Sequence, residues 1–246
     1  MKLSFVIPAY NEEELIGQCL DSILKQMANM PLEEIEIIVV NNASTDKTRE
    51  VALSFPRITV VNELRPGITH ARQAGLHASS GEFIIQLDAD TLLPNGYIET
   101  AMKEFDKDQA LVAISSGPIV YYDISKTNNN LVSLFYYFVY AIYAVNRYVL
   151  RVGSVLQGGN AIIRRSALEK INGYNSNYSF YGEDADLARR LYEIGKVKFV
   201  LKFPTYTSGR RLAKEGMMLT AAKYAINYLS AVFFKKPLTK KYTNIR

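Results

Sequence analysis

The sequence has no tryptophan and a single cysteine, Cys19, among its 246 residues. One cysteine cannot form an intramolecular disulfide, so the chain is not a disulfide-stabilised scaffold. Because Cys19 lies in an apolar helical pattern, we expect a buried core residue rather than a nucleophile. The first residues carry no basic stretch followed by an apolar run and a cleavage site, so we expect no secretory signal. Internal repeats and low-complexity tracts are also missing, which excludes the repeat and disordered classes.

The net charge of +5 is unevenly distributed along the chain. Residues 205–246 carry nine Lys or Arg residues and one acid, Glu215, whereas the rest of the chain is slightly acidic. A basic end on a slightly acidic body favours an anionic partner there, such as a phosphate, an anionic membrane or a nucleic acid. A solvated surface helix followed by a loose tail explains the same distribution, so charge alone leaves both interpretations open.

Short apolar segments alternate with helical patterns in the first third of the sequence. Strands are predicted at 3–7, 35–40, 58–61 and 83–87, and helices at 12–27, 47–54 and 68–78. This alternation predicts an α/β fold with a mostly parallel sheet and helices on both faces. Further strands are predicted at 111–116, 119–122, 161–164 and 197–201, with helices at 183–194 and after Ser166, which resembles an N-cap with Glu169 completing a capping box.

Polar clusters follow three of the predicted parallel strands. They are Tyr10-Asn11-Glu12, Asn41-Asn42 and Asp88-Ala89-Asp90. In such sheets ligands bind beyond the carboxyl ends of the strands. Alternate residues of an extended chain point the same way, so both carboxylates of the third cluster can face one space. Carboxylates suit Mg²⁺ or Mn²⁺, whose coordination shell substrate phosphates and water complete. The pattern therefore predicts a metal–diphosphate site, with an acid-decorated helix start as the alternative.

Six segments, in this order along the chain, resemble the motifs of the family 2 glycosyltransferases, which are inverting enzymes of the GT-A fold. They are VIPAYNEE (6–13), VVNNASTD (39–46), ARQAG (71–75), LDAD (87–90), GGN (158–160) and GEDADL (182–187). The resemblance spans roughly residues 3–211. It implies a GT-A domain at 1–211, with a nucleotide-sugar-binding half at 1–90 and a smaller acceptor and catalytic half at 91–211. A basic amphipathic helix and tail would follow at 212–246.

The resemblance also implies roles for matching residues. Those expected to bind the nucleotide sugar are Pro8, Ala9, Tyr10, Glu12, Asn42, Arg72, Asp88 and Asp90, with Arg210 and Arg211 as further donors to the diphosphate. Asp90, with Asp88, is expected to bind Mg²⁺ or Mn²⁺. Asp184 matches the general base, and Glu183 lies beside it. Asp186 is better explained as an acid favoured by the dipole at a helix N-terminus.

The function implied by the resemblance is the transfer of one sugar from a nucleotide-diphosphate sugar to an acceptor hydroxyl, in cell-surface glycan or glycolipid synthesis. Without tryptophan, the Gln-x-x-Arg-Trp signature of processive synthases is missing, and Ser208-Gly209-Arg210-Arg211 follows the last strand instead. Asn42 stands where an Asp is usual, which leaves the base open, with uridine as the default. A GT-A module that binds without transferring is one alternative. A nucleotidyltransferase is another, although 8–14 offers no Gly-rich phosphate loop.

Two apolar segments, 131–150 and 217–234, raise the question of membrane contact. The first is aromatic-rich but short for a span. In the second, Thr220, Lys223, Asn227 and Ser230 form one polar stripe on a helix, and Lys235-Lys236 and Lys240-Lys241 follow. This pattern resembles a helix lying on anionic lipid. It predicts peripheral contact through 217–241 at the cytoplasmic face of the plasma membrane, a glycan or lipid-linked acceptor, and no nucleic acid. Packing against the protein body or a second subunit explains the pattern equally well.

Overall fold

The computed structural model describes residues 2–27, 34–150, 155–201 and 204–239. Its strands are β1 (Leu3–Ala9), β2 (Ile35–Asn41), β3 (Ile58–Asn62), β4 (Phe83–Leu87), β5 (Thr91–Leu92), β6 (Leu111–Ser116), β7 (Ile119–Tyr121), β8 (Asn160–Arg164), β9 (Lys196–Val200) and β10 (Thr205–Thr207). Its α-helices are α1 (Ile16–Met27), α2 (Thr48–Leu53), α3 (Ile68–Ala78), α4 (Tyr97–Lys107), α5 (Lys126–Ala144), α6 (Arg165–Lys170), α7 (Glu183–Tyr192), α8 (Arg210–Glu215) and α9 (Met217–Leu229). Two π-helical segments, Val145–Leu150 and Ser230–Phe234, continue α5 and α9.

A seven-stranded sheet in the order β3-β2-β1-β4-β8-β6-β9 forms the centre of the protein. All neighbouring strands in it run parallel except for β8, which is antiparallel to both β4 and β6. The predicted α/β fold with a mostly parallel sheet is confirmed. A second sheet, β5-β10-β7, has three short strands, of which β5 and β10 run antiparallel. Its strand β5 begins directly after Asp90, so this small sheet borders the carboxyl end of β4.

Apolar side chains cover both faces of the large sheet. In β1, Phe5 and Ile7 point into one buried cluster, whereas Val6 points into the other. Helices α1 and α4 cover the first face, and α3 and α7 cover the second. Such strands are apolar at nearly every position because both faces are buried. Cys19 lies in the first cluster, as predicted, and burial raises the pKa of its thiol.

Helix α3 lies close against the sheet at Gly75. A Cβ at this position would stand 2.2 Å from Cγ1 of Val6, so only glycine permits the observed approach. Arg72, three residues earlier, lies on the same side of the helix. The close packing of α3 therefore buries Arg72 next to the end of the sheet.

Most predicted elements differ from the observed ones by one or two residues at an end, and the boundaries of β1 and α1 matter for the site. The pairing of β1 with β4 ends at Val6, but Pro8 and Ala9 still pair with β2. Strand β1 therefore continues through Pro8 to Ala9. Helix α1 begins at Ile16 and not at Glu12, whose carbonyl accepts the amide of Ile16 at 2.9 Å in a preceding turn.

The prediction that Ser166 caps a helix is wrong. Helix α6 begins at Arg165, and the residue at its N-cap, Arg164, makes no side-chain capping bond. The amide of Arg165 donates to the carbonyl of Glu82 at 2.8 Å, and its Nε donates to the carbonyl of Gly81 at 2.7 Å. These contacts to the start of β4 fix the beginning of the helix directly after β8.

Four observed elements, α4, β5, β10 and α8, were not predicted. Helix α8 runs across the predicted boundary at 211/212, and that division of the chain stays a prediction. The predicted helix at 217–234 corresponds to α9 and its π-helical continuation, whereas the last part of the predicted basic tail, 240–246, lies outside the described residues. Within the described ranges, no helix combines the length and the apolar character that crossing a bilayer requires.

Candidate active site

The loops that follow β1 and β2 are bonded to each other at the carboxyl edge of the sheet. Oδ1 of Asn11 accepts the amide of Thr45 at 2.9 Å, and the amide of Asn11 donates to Oγ of Ser44 at 3.1 Å. The amide of Glu12 donates to Oγ1 of Thr48 at 2.7 Å. Asn11 adopts a left-handed conformation with φ 50°. These bonds turn Glu12 inward, where its side chain is buried.

Asn42 is buried and holds the loop between β3 and α3. Its Nδ2 donates to the carbonyls of Glu63 at 3.0 Å and Arg65 at 2.8 Å, and its Oδ1 accepts the amide of Gly67 at 2.9 Å. Both amide hydrogens of the side chain are therefore engaged by backbone groups. A contact of Asn42 with a nucleotide base stays a prediction, and it would have to use the remaining acceptor capacity of Oδ1.

The pair Asp88 and Asp90 follows β4 directly and faces a glycine loop. The amide of Asp88 donates to the carbonyl of Gly159 at 3.2 Å. A Cβ on Gly159 would lie 2.1 Å from Oδ2 of Asp88, and one on Gly158 would lie 2.3 Å from Oε1 of Glu183. The two glycines thus leave room for carboxylates that any larger residue would displace.

Arg72 forms a buried bridge between Asp88 and Glu183. Its Nη1 lies 2.5 Å from Oε1 of Glu183, and its Nη2 lies 3.4 Å from Oδ1 of Asp88. Burial disfavours the charge of Arg72, but the two carboxylates outweigh it and raise the pKa of the guanidinium. Burial also raises the pKa of Glu183, and Arg72 opposes that rise. The bridge joins α3, the end of β4 and the start of α7.

Arg210 forms a second bridge, between Glu12 and Asp90. Its Nη2 bonds Oε1 of Glu12 and lies 2.9 Å from Oδ2 of Asp90. Thr207 completes the surroundings of Asp90, because its Oγ1 lies 3.0 Å from Oδ1 of that residue. Arg72 therefore links Asp88 to Glu183, and Arg210 links Asp90 to Glu12.

Thr207 was not among the predicted site residues. Strand β10 pairs antiparallel with β5, and this pairing sets Thr207 opposite Thr91, with 3.1 Å between their hydroxyl oxygens. The one available signal was its position directly before the Ser208-Gly209-Arg210-Arg211 segment.

Asp184 lies in the first turn of α7, after Gly182 with φ 82°. Its side chain is partly exposed, and its Oδ1 accepts the amide of Ala185 at 2.8 Å. Burial, followed by the negative charge of Glu183, raises the pKa of Asp184 to about 7. A carboxylate with such a pKa is suited to accept a proton near neutral pH.

Other predicted site residues lie apart from the two bridges. Pro8 and Ala9 are buried in β1, and Tyr10 is partly exposed at its end. The guanidinium carbon of Arg211 lies 4.4 Å from the ring centre of Phe180, so this side chain packs on that ring. Asp186 lies in the first turn of α7 and is buried in ion pairs with two arginines of its own helix, and its explanation by the helix dipole stays a prediction.

The donor set at the end of β4 fits a divalent ion that is shared with a phosphate ligand. In the part of the chain that the structure describes, no group of three or more His, Cys, Asp or Glu side chains is arranged to bind a metal. Asp88 and Asp90 would therefore be the protein's ligands, and diphosphate and water would fill the other positions. Nε of Arg72, Nε of Arg210 and Oε2 of Glu183 are buried without a hydrogen-bond partner among the described residues. Such atoms are suited to a polar ligand or water.

Two known protein families match this chain. The family described as Glycosyl transferase family 2 matches residues 4–172, which is more than half of the chain. The chain belongs to the family 2 glycosyltransferases. A second family, described as the N-terminal domain of galactosyltransferase, matches residues 148–212.

Curated relatives match the chain over part of its length. The glycosyltransferase GlyA of Streptococcus pneumoniae is 31% identical over 142 residues, covering 56% of this chain and 19% of that protein. The chondroitin synthase of Pasteurella multocida is 34% identical over 116 residues, covering 46% of this chain and 12% of that protein. The matched segment is thus a small part of each relative.

Solved structures share the fold over nearly the whole chain. The mannosyltransferase PcManGT from Pyrobaculum calidifontis, in complex with GDP-Man and Mn²⁺, has a TM-score of 0.69 at 24% identity and covers 95% of this chain and 63% of its own. Glucosyl-3-phosphoglycerate synthase from Mycobacterium tuberculosis, in complex with Mn²⁺, UDP and phosphoglyceric acid, has a TM-score of 0.65 at 22% identity and covers 94% and 78%. The predicted GT-A fold is confirmed.

Proposed function

We propose that this chain is an inverting glycosyltransferase that moves one sugar from a nucleotide-diphosphate sugar to an acceptor hydroxyl. The observation that carries the proposal is the convergence of two arginine bridges on Asp88 and Asp90, with Asp184 beside Glu183 at one end of them. Membership of the family supports it. Solved neighbours with UDP, with UDP-GlcNAc and with GDP-Man support a nucleotide-diphosphate donor, and a UDP-sugar is the default.

Asp90 and Asp88 would bind Mg²⁺ or Mn²⁺, and neighbours in complex with Mn²⁺ or Mg²⁺ support this assignment. The bound ion would neutralise the charge that develops on the departing nucleoside diphosphate. Arg72 and Arg210 present planar groups with several N–H donors, which suit phosphate oxygens. With the ion bound, these two arginines would turn from the carboxylates toward the diphosphate.

Asp184 would act as the general base. The acceptor hydroxyl donates its proton to the carboxylate of Asp184, and its oxygen forms a bond to the anomeric carbon. The bond from that carbon to the diphosphate oxygen breaks on the opposite face, and its electron pair stays with the diphosphate. A single displacement of this kind inverts the anomeric configuration.

Glu183 is a positioning residue in this proposal. Its ion pair with Arg72 fixes the first turn of α7 against α3. Its negative charge contributes to the raised pKa of Asp184, and a base with a pKa near the working pH transfers protons most effectively. Glu183 thus connects its ion pair with Arg72 to the pKa of Asp184.

The acceptor that we propose is a glycan or a lipid-linked saccharide at the cytoplasmic face of the plasma membrane. Relatives named poly(ribitol-phosphate) beta-glucosyltransferase, at 38% identity over 98 residues, and minor teichoic acid biosynthesis protein GgaB, at 30% over 133 residues, support a role in cell-surface polymers. One sugar per encounter is expected, and nucleic acid is not a partner in this proposal.

The test is thermal stabilisation and turnover with a panel of UDP-, GDP-, CMP- and dTDP-sugars in the presence of Mn²⁺. Ligand that binds the folded state raises the melting temperature. We expect one sugar nucleotide to stabilise the wild type and Asp184→Asn, but not Asp90→Asn, and turnover to be lost in both variants. Stabilisation without turnover of donor in the wild type would favour a binding module. Release of pyrophosphate from a nucleoside triphosphate would favour a nucleotidyltransferase.

A further inference from the structure

Helix α9 is amphipathic, but its polar stripe faces the protein and its apolar side faces outward. Thr220 and Asn227 are only 3% and 1% exposed, and Ser230 is also buried. The outward side is apolar, and we call it the anchor face: Met218, Leu219, Ile226, Leu229, Phe233 and Phe234. Met218 is 84% exposed and Phe234 is 71% exposed. A surface helix in water normally buries its apolar side, so this orientation requires an explanation.

Hydrogen bonds join the buried stripe to the segment that returns after the helix. Nδ2 of Asn227 donates to the carbonyl of Lys223 and to Oγ1 of Thr239, both at 2.8 Å. Oδ1 of Asn227 accepts the amide of Thr239 at 2.9 Å, and Oγ of Ser230 donates to the carbonyl of Lys236 at 2.8 Å. These partners belong to the helix and its returning segment, and the side that faces the body is set by Ala231, which is fully buried against α7. The apolar side is therefore held outward by the protein's own contacts.

The charge beside the anchor face is positive. Lys235 and Lys236 are exposed and directly follow Phe233 and Phe234. Acidic residues do not occur anywhere in 217–239. Aromatic side chains next to lysines suit the boundary between lipid headgroups and acyl chains of an anionic bilayer.

A second copy of the chain is a poorer match for this surface. A two-fold symmetric contact sets the same patch against itself. Such a contact through the anchor face would bury its apolar side, but residues 217–239 of the other copy contain no acid that could pair with Lys235 and Lys236. An anionic bilayer covers the apolar side and neutralises the lysines at the same time.

The anchor face belongs to the helix that packs on the catalytic end of α7. A Cβ on Gly182 would stand 3.2 Å from the carbonyl oxygen of Asn227, so α9 lies directly against the residue before Glu183. The rings of Tyr181 and Tyr224 meet edge to face with 5.3 Å between their centres. A surface bound to the anchor face would therefore lie one helix diameter, roughly 10 Å, from the start of α7, which carries Asp184.

Helix α5 presents a further outward apolar side. Leu134 and Phe138 are exposed, whereas Tyr136 of the same helix joins Tyr228 of α9 in one buried cluster. Two outward apolar sides thus flank a single cluster. Exposed apolar surface of this extent on a water-soluble protein commonly marks an interaction site.

We propose that the anchor face, with Lys235 and Lys236, binds the surface of an anionic lipid bilayer and so presents Asp184 to an acceptor carried by that bilayer. The lipid contact stands on the orientation of α9 and its charge. The consequence for the acceptor rests on the proposed transferase function.

The test is flotation of the full chain with vesicles of phosphatidylcholine containing 30% phosphatidylglycerol, and with vesicles of phosphatidylcholine alone. We expect the wild type to float with the anionic vesicles. The double variant Phe233→Gln/Phe234→Gln should bind at least about tenfold more weakly to them, because two apolar rings no longer insert. The double variant Lys235→Gln/Lys236→Gln should lose about fivefold for each lysine on anionic vesicles and keep its affinity for neutral ones. Leu64→Gln, at an 81% exposed leucine after β3, is the control and should float like the wild type.

Three results would overturn the proposal. In the first, the wild type stays in solution; in the second, the variants float as well as the wild type. In the third, light scattering shows that the wild type is a dimer, and Phe233→Gln/Phe234→Gln dissociates this dimer without any effect on flotation. Thermal stabilisation by the sugar nucleotide is measured on the same samples. Its absence from the wild type would contradict the proposed function, whereas its presence in a protein that does not float would contradict the lipid contact alone.

Discussion

Arg210 donates to Asp90 across 2.9 Å although 120 residues separate them in the sequence. The pair lies where β10 joins β5, so the position of the cation at the carboxylate depends on the small sheet. One oxygen of the predicted metal ligand is therefore occupied by a positive group of the protein itself. A divalent ion at Asp90 would have to compete with Arg210.

Arg210→Gln should change metal and nucleotide affinity in opposite directions. Removing the competing cation should raise the affinity for Mn²⁺ alone by about two- to fivefold, the range of a partly exposed ion pair. Losing a charged donor to the diphosphate should lower the affinity for the Mn²⁺–nucleotide complex by about tenfold or more. Titration calorimetry with Mn²⁺, and then with UDP in saturating Mn²⁺, measures both.

Arg211→Gln is the matched control, since Arg211 is the neighbouring arginine and its guanidinium packs on Phe180. It should leave the affinity for Mn²⁺ alone unchanged. If Arg210→Gln lowered both affinities, the arginine would be needed for the shape of the site and not as a competitor of the metal.

Arg72→Met should destabilise the protein, because it leaves the buried carboxylate of Glu183 without its partner. Breaking a buried pair by removal of one side costs about 3–5 kcal/mol. The loss should be greatest at pH 8. Burial already raises the folded-state pKa of Glu183, and without Arg72 this pKa rises further. At lower pH the buried carboxylate therefore takes up a proton on folding, and the loss of stability shrinks toward pH 5. Urea unfolding at the two pH values measures it.

The double variant Arg72→Met/Glu183→Gln tests the cause of that loss. Because the glutamine carries no charge, the double variant should be more stable than Arg72→Met at pH 8, and its stability should depend less on pH. A double variant as unstable as the single one would assign the loss to packing around the Arg72 side chain.

Asp184→Asn should abolish transfer and stabilise the fold. The folded-state pKa of about 7 lies above the unfolded value, so the ionised carboxylate is disfavoured in the folded protein. Its penalty is absent below the unfolded pKa, grows as pH rises toward 7 and is complete above it. After allowance for partial exposure, the gain for the variant should be on the order of 2 kcal/mol at pH 8 and should fall toward zero near pH 4.

The same pKa predicts the pH dependence of the wild-type reaction. Transfer by the base requires the ionised form, so kcat/KM should rise with pH and level off above an apparent pKa near 7. A flat profile between pH 5.5 and 8.5, measured with saturating metal at each pH, would remove Asp184 from the role of base.

Gly159→Ala should disrupt donor binding with little effect on the fold. Its Cβ would lie 2.1 Å from Oδ2 of Asp88, a partly exposed carboxylate that can turn away but then leaves its binding position. We expect at least about a tenfold loss of Mn²⁺-dependent nucleotide affinity, the equivalent of one charged contact. Gly17→Ala is the control, since its Cβ would meet Phe55 at an ordinary 3.5 Å. Equal affinity in the two variants would show that Asp88 is dispensable.

Much of the large sheet could be predicted from the sequence, because its central strands are buried on both faces and therefore read as continuous apolar runs. Strand β4 and helix α3 were predicted with their observed bounds. The short strands β5 and β10 could not be, because two or three residues carry no periodic pattern and are stabilised by pairing across the chain. Ser166 was misplaced because a local capping pattern yielded to contacts of Arg165 with the start of β4.

The α/β fold, the family and the order of the acidic motifs could be recognised without coordinates, since apolar periodicity and short motifs are local properties of the chain. Which arginine meets which acid depends on how distant segments pack: Arg210 reaches Asp90, whereas its neighbour Arg211 lies over Phe180. Packing also sets the inward direction of the polar stripe of α9, because Ala231 is buried against α7 while Asn227 and Ser230 bond the returning segment. Such choices depend on contacts between distant or folded-back segments, and a helical pattern alone cannot tell which of its sides the rest of the protein will cover.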